Sequence, residues 1–187
     1  GDGYWRVLDD DKIAALNAAD LIIVSRNTNS GDYNNDEEPT QWNSITTPLI
    51  LSSTHIVRSS RWKWVDSTTI LSFTPTMVLA DGTEIPGINA EVGQGSFIDT
   101  AAGNGTITAT GDGLPFIMEW EAGVEYYDGA GQVAGGPRVF FTAGTQEDAA
   151  TGVGRGEMNL APEALAVFMD TVKKLVPAAA KDITVPG

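Results

Sequence analysis

The strongest constraint in this chain is a pair of short, continuous apolar runs, LIIVSR (21–26) and PLIL (48–51), each preceded by a helical segment. Runs of aliphatic and β-branched residues without polar alternation suit strands buried on both faces. Ahead of the first, DDDKIAALNAAD (9–20) puts three acids at a helix N-terminus, with Ile13, Leu16 and the alanines at helical spacing. Ahead of the second, DEEPTQWNSI (36–45) repeats the signal, with Asp36 as the N-cap and acids in the first turn. With YWRVL (4–8) as a further short strand, the order strand, helix, strand, helix, strand predicts a parallel, doubly wound sheet. Functional loops of such a sheet lie at the carboxyl ends of its strands.

Residues 66–135 have another character. Short β-type runs (TTILSFT, TMVLA, GTITATG, FIMEWEAGVEYY) are separated by DG, PG, GNG and GDG turns, which predict hairpins appended to the main sheet. PRVFFTAGT (137–145) returns to a buried strand. APEALAVFMDTVKKLV (161–176) is an amphipathic helix with Leu165, Phe168, Met169, Val172 and Val176 on its expected core face. The expectation is a single domain over 1–176, with 66–135 as a β-rich insertion and 177–187 as a linker-like tail. A doubly wound domain normally begins with a central strand and crossover helix. Neither is visible before residue 4, so the first strand and helix are expected to be missing or supplied by a neighbouring chain.

With 187 residues, 42% of them hydrophobic, the chain can bury a core without staples. It has no cysteine, which excludes disulfides, thiolate metal sites and a cysteine nucleophile. A formal charge of −14 argues against nucleic acid and anionic membranes as partners, and no apolar run reaches membrane-spanning length. Acidity, few lysines and many Asn, Ser, Thr and Gly together lead to the expectation of a secreted, extracellular bacterial module, while the opening GDGYW reads as the start of an excised or mature fragment.

The succession ADLIIVSRNTNSGDY, WNSITTPLILSS, RSSRW, LPFIMEWEAGVEYY and RVFFTAGTQE through GRGEMNLAPEALAVFMDTV resembles the class I glutamine-amidotransferase-like superfamily, with the trehalose-utilisation (ThuA-like) branch as the nearest match. Its most specific part is Gly156, Glu157, Met158, Asn159, Leu160, Ala161, Pro162 and Glu163, where the family tends to have Thr at the position of Ala161. The resemblance implies a flavodoxin-like three-layer sandwich with a mostly parallel sheet and any active site after PLIL. Family members with amidotransferase activity hold a nucleophilic cysteine there, flanked by glycines. The matching residue here is Ser53, flanked by Ser52 and Thr54, so glutaminase chemistry is not expected.

Four groups of candidate residues follow. Ser53 and His55, two apart on an extended segment, could share a face as nucleophile and base, with Asp32 or Glu119 as orienting acid; otherwise His55 merely bonds a backbone carbonyl. Arg58, Arg61 and Lys63 with Trp62 and Trp64 suggest a cationic, aromatic ligand-binding rim for a polysaccharide; otherwise the tryptophans pack and the arginines pair with acids. Asp32, Asn34 and Asp36 match the first three ligand positions of a calcium loop, although Glu37 and Asn43 stand where such a loop needs Gly and Glu. Calcium is the one cofactor suggested, and an Asx-turn loop is the other reading. Gln146, Glu147 and Arg155, with Asp148, lie in the loop after the last strand and are expected to join Ser53 and His55 at one sheet edge; GVGRG there lacks the spacing of a nucleotide loop. The expected function is a non-catalytic binding or structural module, its partners a polysaccharide or neighbouring domains of the same protein. A carbohydrate-active hydrolase and a self-assembling homo-oligomer are the alternatives.

Overall fold

In the computed structural model, which describes residues 4–25, 30–33, 37–91, 93–142 and 158–176, the chain forms α1 (Asp10–Asn17), β1 (Ile22–Val24), α2 (Glu37–Ser44), β2 (Leu49–Leu51), α3 (Thr54–Val57), β3 (Ile70–Phe73), β4 (Thr76–Leu79), β5 (Glu84–Pro86), β6 (Gly95–Ile98), β7 (Thr106–Gly111), β8 (Leu114–Trp120), β9 (Arg138–Phe141) and α4 (Pro162–Leu175). The two apolar runs become neighbouring parallel strands, with Ile23 opposite Ile50, and β2 continues in parallel onto β9, with Ile50 opposite Val139. The seven-stranded order is β1-β2-β9-β8-β7-β4-β5, while β3 and β6 pair antiparallel as a second, two-stranded sheet.

Side chains alternate across the strands and so divide the core. Leu49, Leu51 and Phe140 pack on one face with Trp42, Ile56, Trp62 and Trp64. Ile50, Val139 and Phe141 pack on the other with Phe116, Ala164 and Phe168, so α2 and α4 cover opposite faces. The architecture is therefore α/β. Parallel pairing is confined to β1, β2 and β9, and the hairpins expected in 66–135 extend the same sheet antiparallel to β9 through β8, β7, β4 and β5. Among the described residues no helix is long and apolar enough to cross a membrane.

Two local expectations are corrected. Residues 4–8 form turns: the Trp5 carbonyl accepts from Trp42 Nε1 and the Leu8 amide donates to Gln41, so the segment straps α2 where a strand was expected. On α4 the buried face is Ala164, Phe168 and Thr171, whereas Leu165 and Met169 are 42% and 46% exposed. The helix is rotated because Phe168 docks edge-on against Phe141, 5.1 Å between ring centroids. Asp9 caps α1 by accepting from the Lys12 amide, which holds its carboxyl below the usual range. The expected cap at Asp36 lies outside the described residues.

A buried polar network fixes the amino ends of β2 and β9. The last carbonyls of α2 lack helical partners. Arg138, fully buried, supplies them: its guanidinium donates to the carbonyls of Asn43 (3.2 Å), Ile45 and Thr47 (3.0 Å). This sets a cation against the negative end of the helix dipole, which partly replaces the carboxylate a buried arginine normally needs. Asn43 binds the Trp62 carbonyl and Gln132 through Nδ2, and accepts from Trp64 Nε1 and the Tyr126 hydroxyl. Around it Trp42 stacks on Trp62 at 4.9 Å and Trp64 on Tyr126 at 5.4 Å. Gly135 and Gly136 let the incoming strand pass this close: a Cβ on Gly135 would lie 2.6 Å from the Ser44 carbonyl carbon, and one on Gly136 would fall on the Thr46 carbonyl oxygen.

Gly136→Ala should therefore lower unfolding free energy by about 3 kcal/mol in urea titrations. Gly113→Ala, at a positive φ with open space around it, should lose only about 1 kcal/mol. Burial also holds the Tyr126 phenol well above its ordinary 10.0, with Arg138 opposing the shift. Because the unfolded chain gives up that proton first, stability should fall as pH climbs past about 10. Tyr126→Phe should flatten this alkaline loss in pH-dependent denaturation curves.

Candidate binding site at the carboxyl ends of the parallel strands

β2 ends at Leu51, and Ser52 and Ser53 lead straight into α3. The Ser53 carbonyl receives the amides of Ile56 and Val57 at 3.1 and 3.2 Å, which makes Ser53 the N-cap residue of this short helix. Its backbone is extended, φ −96° and ψ 106°, and its hydroxyl makes no capping bond. A nucleophile elbow presents its side chain from a sharp, strained turn. Ser53 has neither the strain nor the exposure, being fully buried.

The last pair of the β2–β9 ladder is Leu51 opposite Phe140, and Ser53 and Thr142 each follow it by two residues. Thr142 is also fully buried, its amide anchored on the Phe116 carbonyl at 3.0 Å. Thr54 Oγ1 donates to the Ser96 carbonyl (2.9 Å), which joins α3 to β6. Two residues before Ser96, the Gln94 carbonyl accepts from Asn159 Nδ2 at 2.8 Å, and the Asn159 carbonyl accepts from the Asn89 amide. Ser53 Oγ, Thr142 Oγ1 and Asn159 Oδ1 are all buried with no hydrogen-bond partner. Of the other such atoms among the described residues, Trp62 Nε1 and Arg138 Nε belong to the network around Asn43, and Thr108 Oγ1 lies on β7. A buried polar atom left unpaired costs about 1–3 kcal/mol. Two of them, on Ser53 and Thr142, follow the carboxyl ends of β2 and β9, where ligands of open α/β folds seat, and mark this end as the candidate site.

The expected catalytic pair is corrected by local geometry. Residues 54–57 are helical, so Ser53 and His55 do not share the face of an extended strand. His55 is half-buried, and its carbonyl accepts from Arg58 Nε at 3.0 Å. Glu119 is ion-paired with Lys174 at 2.7 Å near the amino end of β9, and Asp32 sits in a 3-10 turn (Ser30–Asp32).

The cationic, aromatic rim is likewise corrected. Trp62 and Trp64 are 0% exposed and lie inside the aromatic cluster around Asn43, where no sugar ring can stack on them. Arg61 Nε donates to the Ser30 carbonyl at 2.7 Å, pinning the loop after β1. Lys63 adopts a left-handed backbone, φ 59°, in the turn that folds both tryptophans inward. Of the suggested calcium ligands Asn34 and Asp36 lie outside the described residues, as do Gln146, Glu147, Asp148 and Arg155. Among the described residues no group of three His, Cys, Asp or Glu side chains could hold a metal.

Sequence reasoning located Ser53 but assigned no role to Thr142, Asn159, Asn43 or Arg138. Thr142 follows RVFF directly, at the carboxyl end of a strand, and that position is the signal that could have singled it out.

No protein-family model matches the sequence, and no curated protein does. Two solved structures share its fold: the cytoplasmic proteins STM3548 of Salmonella typhimurium and STM1381 of Salmonella typhimurium LT2. The first superposes with a TM-score of 0.53 at 9% identity, covering 93% of this chain and 78% of that protein. The second superposes at 0.55 with 8% identity, covering 94% and 79%. At such identity the likeness is one of fold. Both are named cytoplasmic proteins, which overturns the expectation of a secreted, extracellular module. That expectation rested on acidity and residue usage, and neither distinguishes a secreted domain from a cytoplasmic one.

If the hydroxyls of Ser53 and Thr142 have no structural partner, removing them relieves a desolvation cost. Ser53→Ala and Thr142→Val should each leave the ligand-free protein as stable or up to about 1 kcal/mol more stable in urea titrations. A loss of 1 kcal/mol or more would show that the hydroxyl is already satisfied.

Proposed function

We propose that this chain is a non-catalytic binding module on a flavodoxin-like sandwich of the class I amidotransferase-like kind, with its ligand seated at the carboxyl ends of β2 and β9. The observation that carries the reading is the pair of buried, unpartnered hydroxyls that follow the carboxyl ends of β2 and β9, Ser53 Oγ and Thr142 Oγ1. The βαβ path through β1, α2 and β2 and the placement of Ser53 after β2 support the family resemblance. The relaxed backbone at Ser53 and the burial of its side chain favour binding over hydrolysis. Fixed hydrogen-bonding groups in a water-poor site bind a complementary ligand strongly, because their desolvation cost is already part of the free protein.

Ligand-observed NMR screening against a mixture of small polar metabolites tests this directly. At least one compound should show saturation transfer that disappears in the Ser53→Leu variant, which fills the site. Ester, glycoside and glutamine hydrolysis should stay at background. A turnover abolished by His55→Ala would overturn the proposal in favour of a hydrolase.

A further inference from the structure

We propose that this chain forms a weak two-fold dimer through an antiparallel pair of α4 helices, a surface independent of the site at the carboxyl ends of β2 and β9. The starting point is the double width of the apolar stripe on α4. Ala164, Phe168 and Thr171, spaced i, i+4 and i+7, are buried. Leu165, Met169 and Val172 repeat that spacing one residue on, which is a turn of about 100° around the helix. Leu165 and Met169 are exposed, and Val172 beside them is half-buried. A surface helix normally turns a polar face to water. Large apolar side chains at alternating four- and three-residue spacing have instead the pattern of a seam between paired helices.

Charge decides what fits the seam. The formal charge of −14 makes two copies repel over most of their surface. On α4, however, Glu163 and Asp170 are balanced by Lys173 and Lys174, for a net charge of zero. By the same count α1, with Asp10, Asp11 and Lys12, carries −1, and α2, with Glu37 and Glu38, carries −2. The charges on α4 are also ordered, with Glu163 in the first turn and both lysines in the last. Parallel copies would set like ends together. Antiparallel copies set the acidic end of each helix beside the lysines of the other, and their dipoles run in opposite directions. With the two-fold axis beside Met169, Leu165 of each copy falls next to Val172 of the other. Lys173 and Lys174 now pair with Asp170 and Glu119, but these are surface pairs that rearrange at little cost. A seam of three apolar residues per copy is well short of the roughly 1,200 Å² at which standard interfaces begin, so the association is weak and concentration-dependent.

Sedimentation velocity on the full chain, from about 10 μM to about 1 mM, tests this. The weight-average sedimentation coefficient should climb from the monomer toward the dimer value across that range. Met169→Lys, an exposed substitution that circular dichroism should show to be folded, should weaken the association at least about tenfold. Glu163→Lys alone and the pair Lys173→Glu with Lys174→Glu should each self-associate less than the unaltered chain. Mixing those two variants should restore the dimer, because each acidic end then meets a basic one. A monomer at every concentration, whatever else covers the seam, overturns the proposal. A dimer indifferent to Met169→Lys puts the interface on another surface and overturns it equally. If the charge variants associate as well as the unaltered chain, the antiparallel arrangement is wrong.

Discussion

Asn43 makes four side-chain hydrogen bonds in the interior, to the Trp62 carbonyl, Gln132, Trp64 and Tyr126, while its carbonyl receives Gly135 and Arg138. It therefore links the end of α2, the aromatic cluster and the strand entering β9 by one side chain and its own backbone. A buried network of this kind specifies one arrangement because each member, once removed, strands the others without partners. Arg138 extends the logic by closing the open carbonyls of α2 and the loop into β2. The three parallel strands then leave this anchored end in fixed register, and everything at their far end inherits that register.

The two ends of β2 and β9 differ in how their buried polar side chains are held, although Trp62 Nε1 and Arg138 Nε at the amino end are also without a partner. At the amino ends the buried polar groups of Asn43 and Trp64 are bonded, and glycine at 135 and 136 allows backbone to touch backbone. At the carboxyl ends Ser53 and Thr142 keep buried hydroxyls without partners. Polar satisfaction builds stability, and its absence stores binding capacity at a cost in stability. The division follows the general rule that open α/β sheets place their ligands beyond the carboxyl ends of the strands.

The βαβ core was legible because two uninterrupted apolar runs and two acid-led helices leave few other arrangements. The elements that escaped were decided by tertiary contacts. YWRVL has strand-like composition, yet its backbone groups are taken by Trp42 and Gln41 on α2. Leu165 and Met169 have the right spacing for a core face, but the fit of Phe168 against Phe141 turns them outward. RSSRWKW looked like a binding rim because Arg and Trp are residues of recognition surfaces. A left-handed turn at Lys63 and the demand of Asn43 for a donor from Trp64 fold that rim inward. A linear sequence carries no mark of such partners. Position after a strand, by contrast, is readable, and the structure does place Ser53 directly after β2, as the N-cap residue of α3.

Native-state hydrogen exchange tests the division between the two ends most directly. The amides of Leu49 and Gly135, bound to the Pro137 and Asn43 carbonyls, should exchange only with the full free energy of unfolding. Those of Ser52 and Thr142, at the carboxyl end, should exchange through smaller openings of measurably lower free energy. Equal protection at both ends, or weaker protection at Leu49 and Gly135 than at Ser52 and Thr142, would contradict the account.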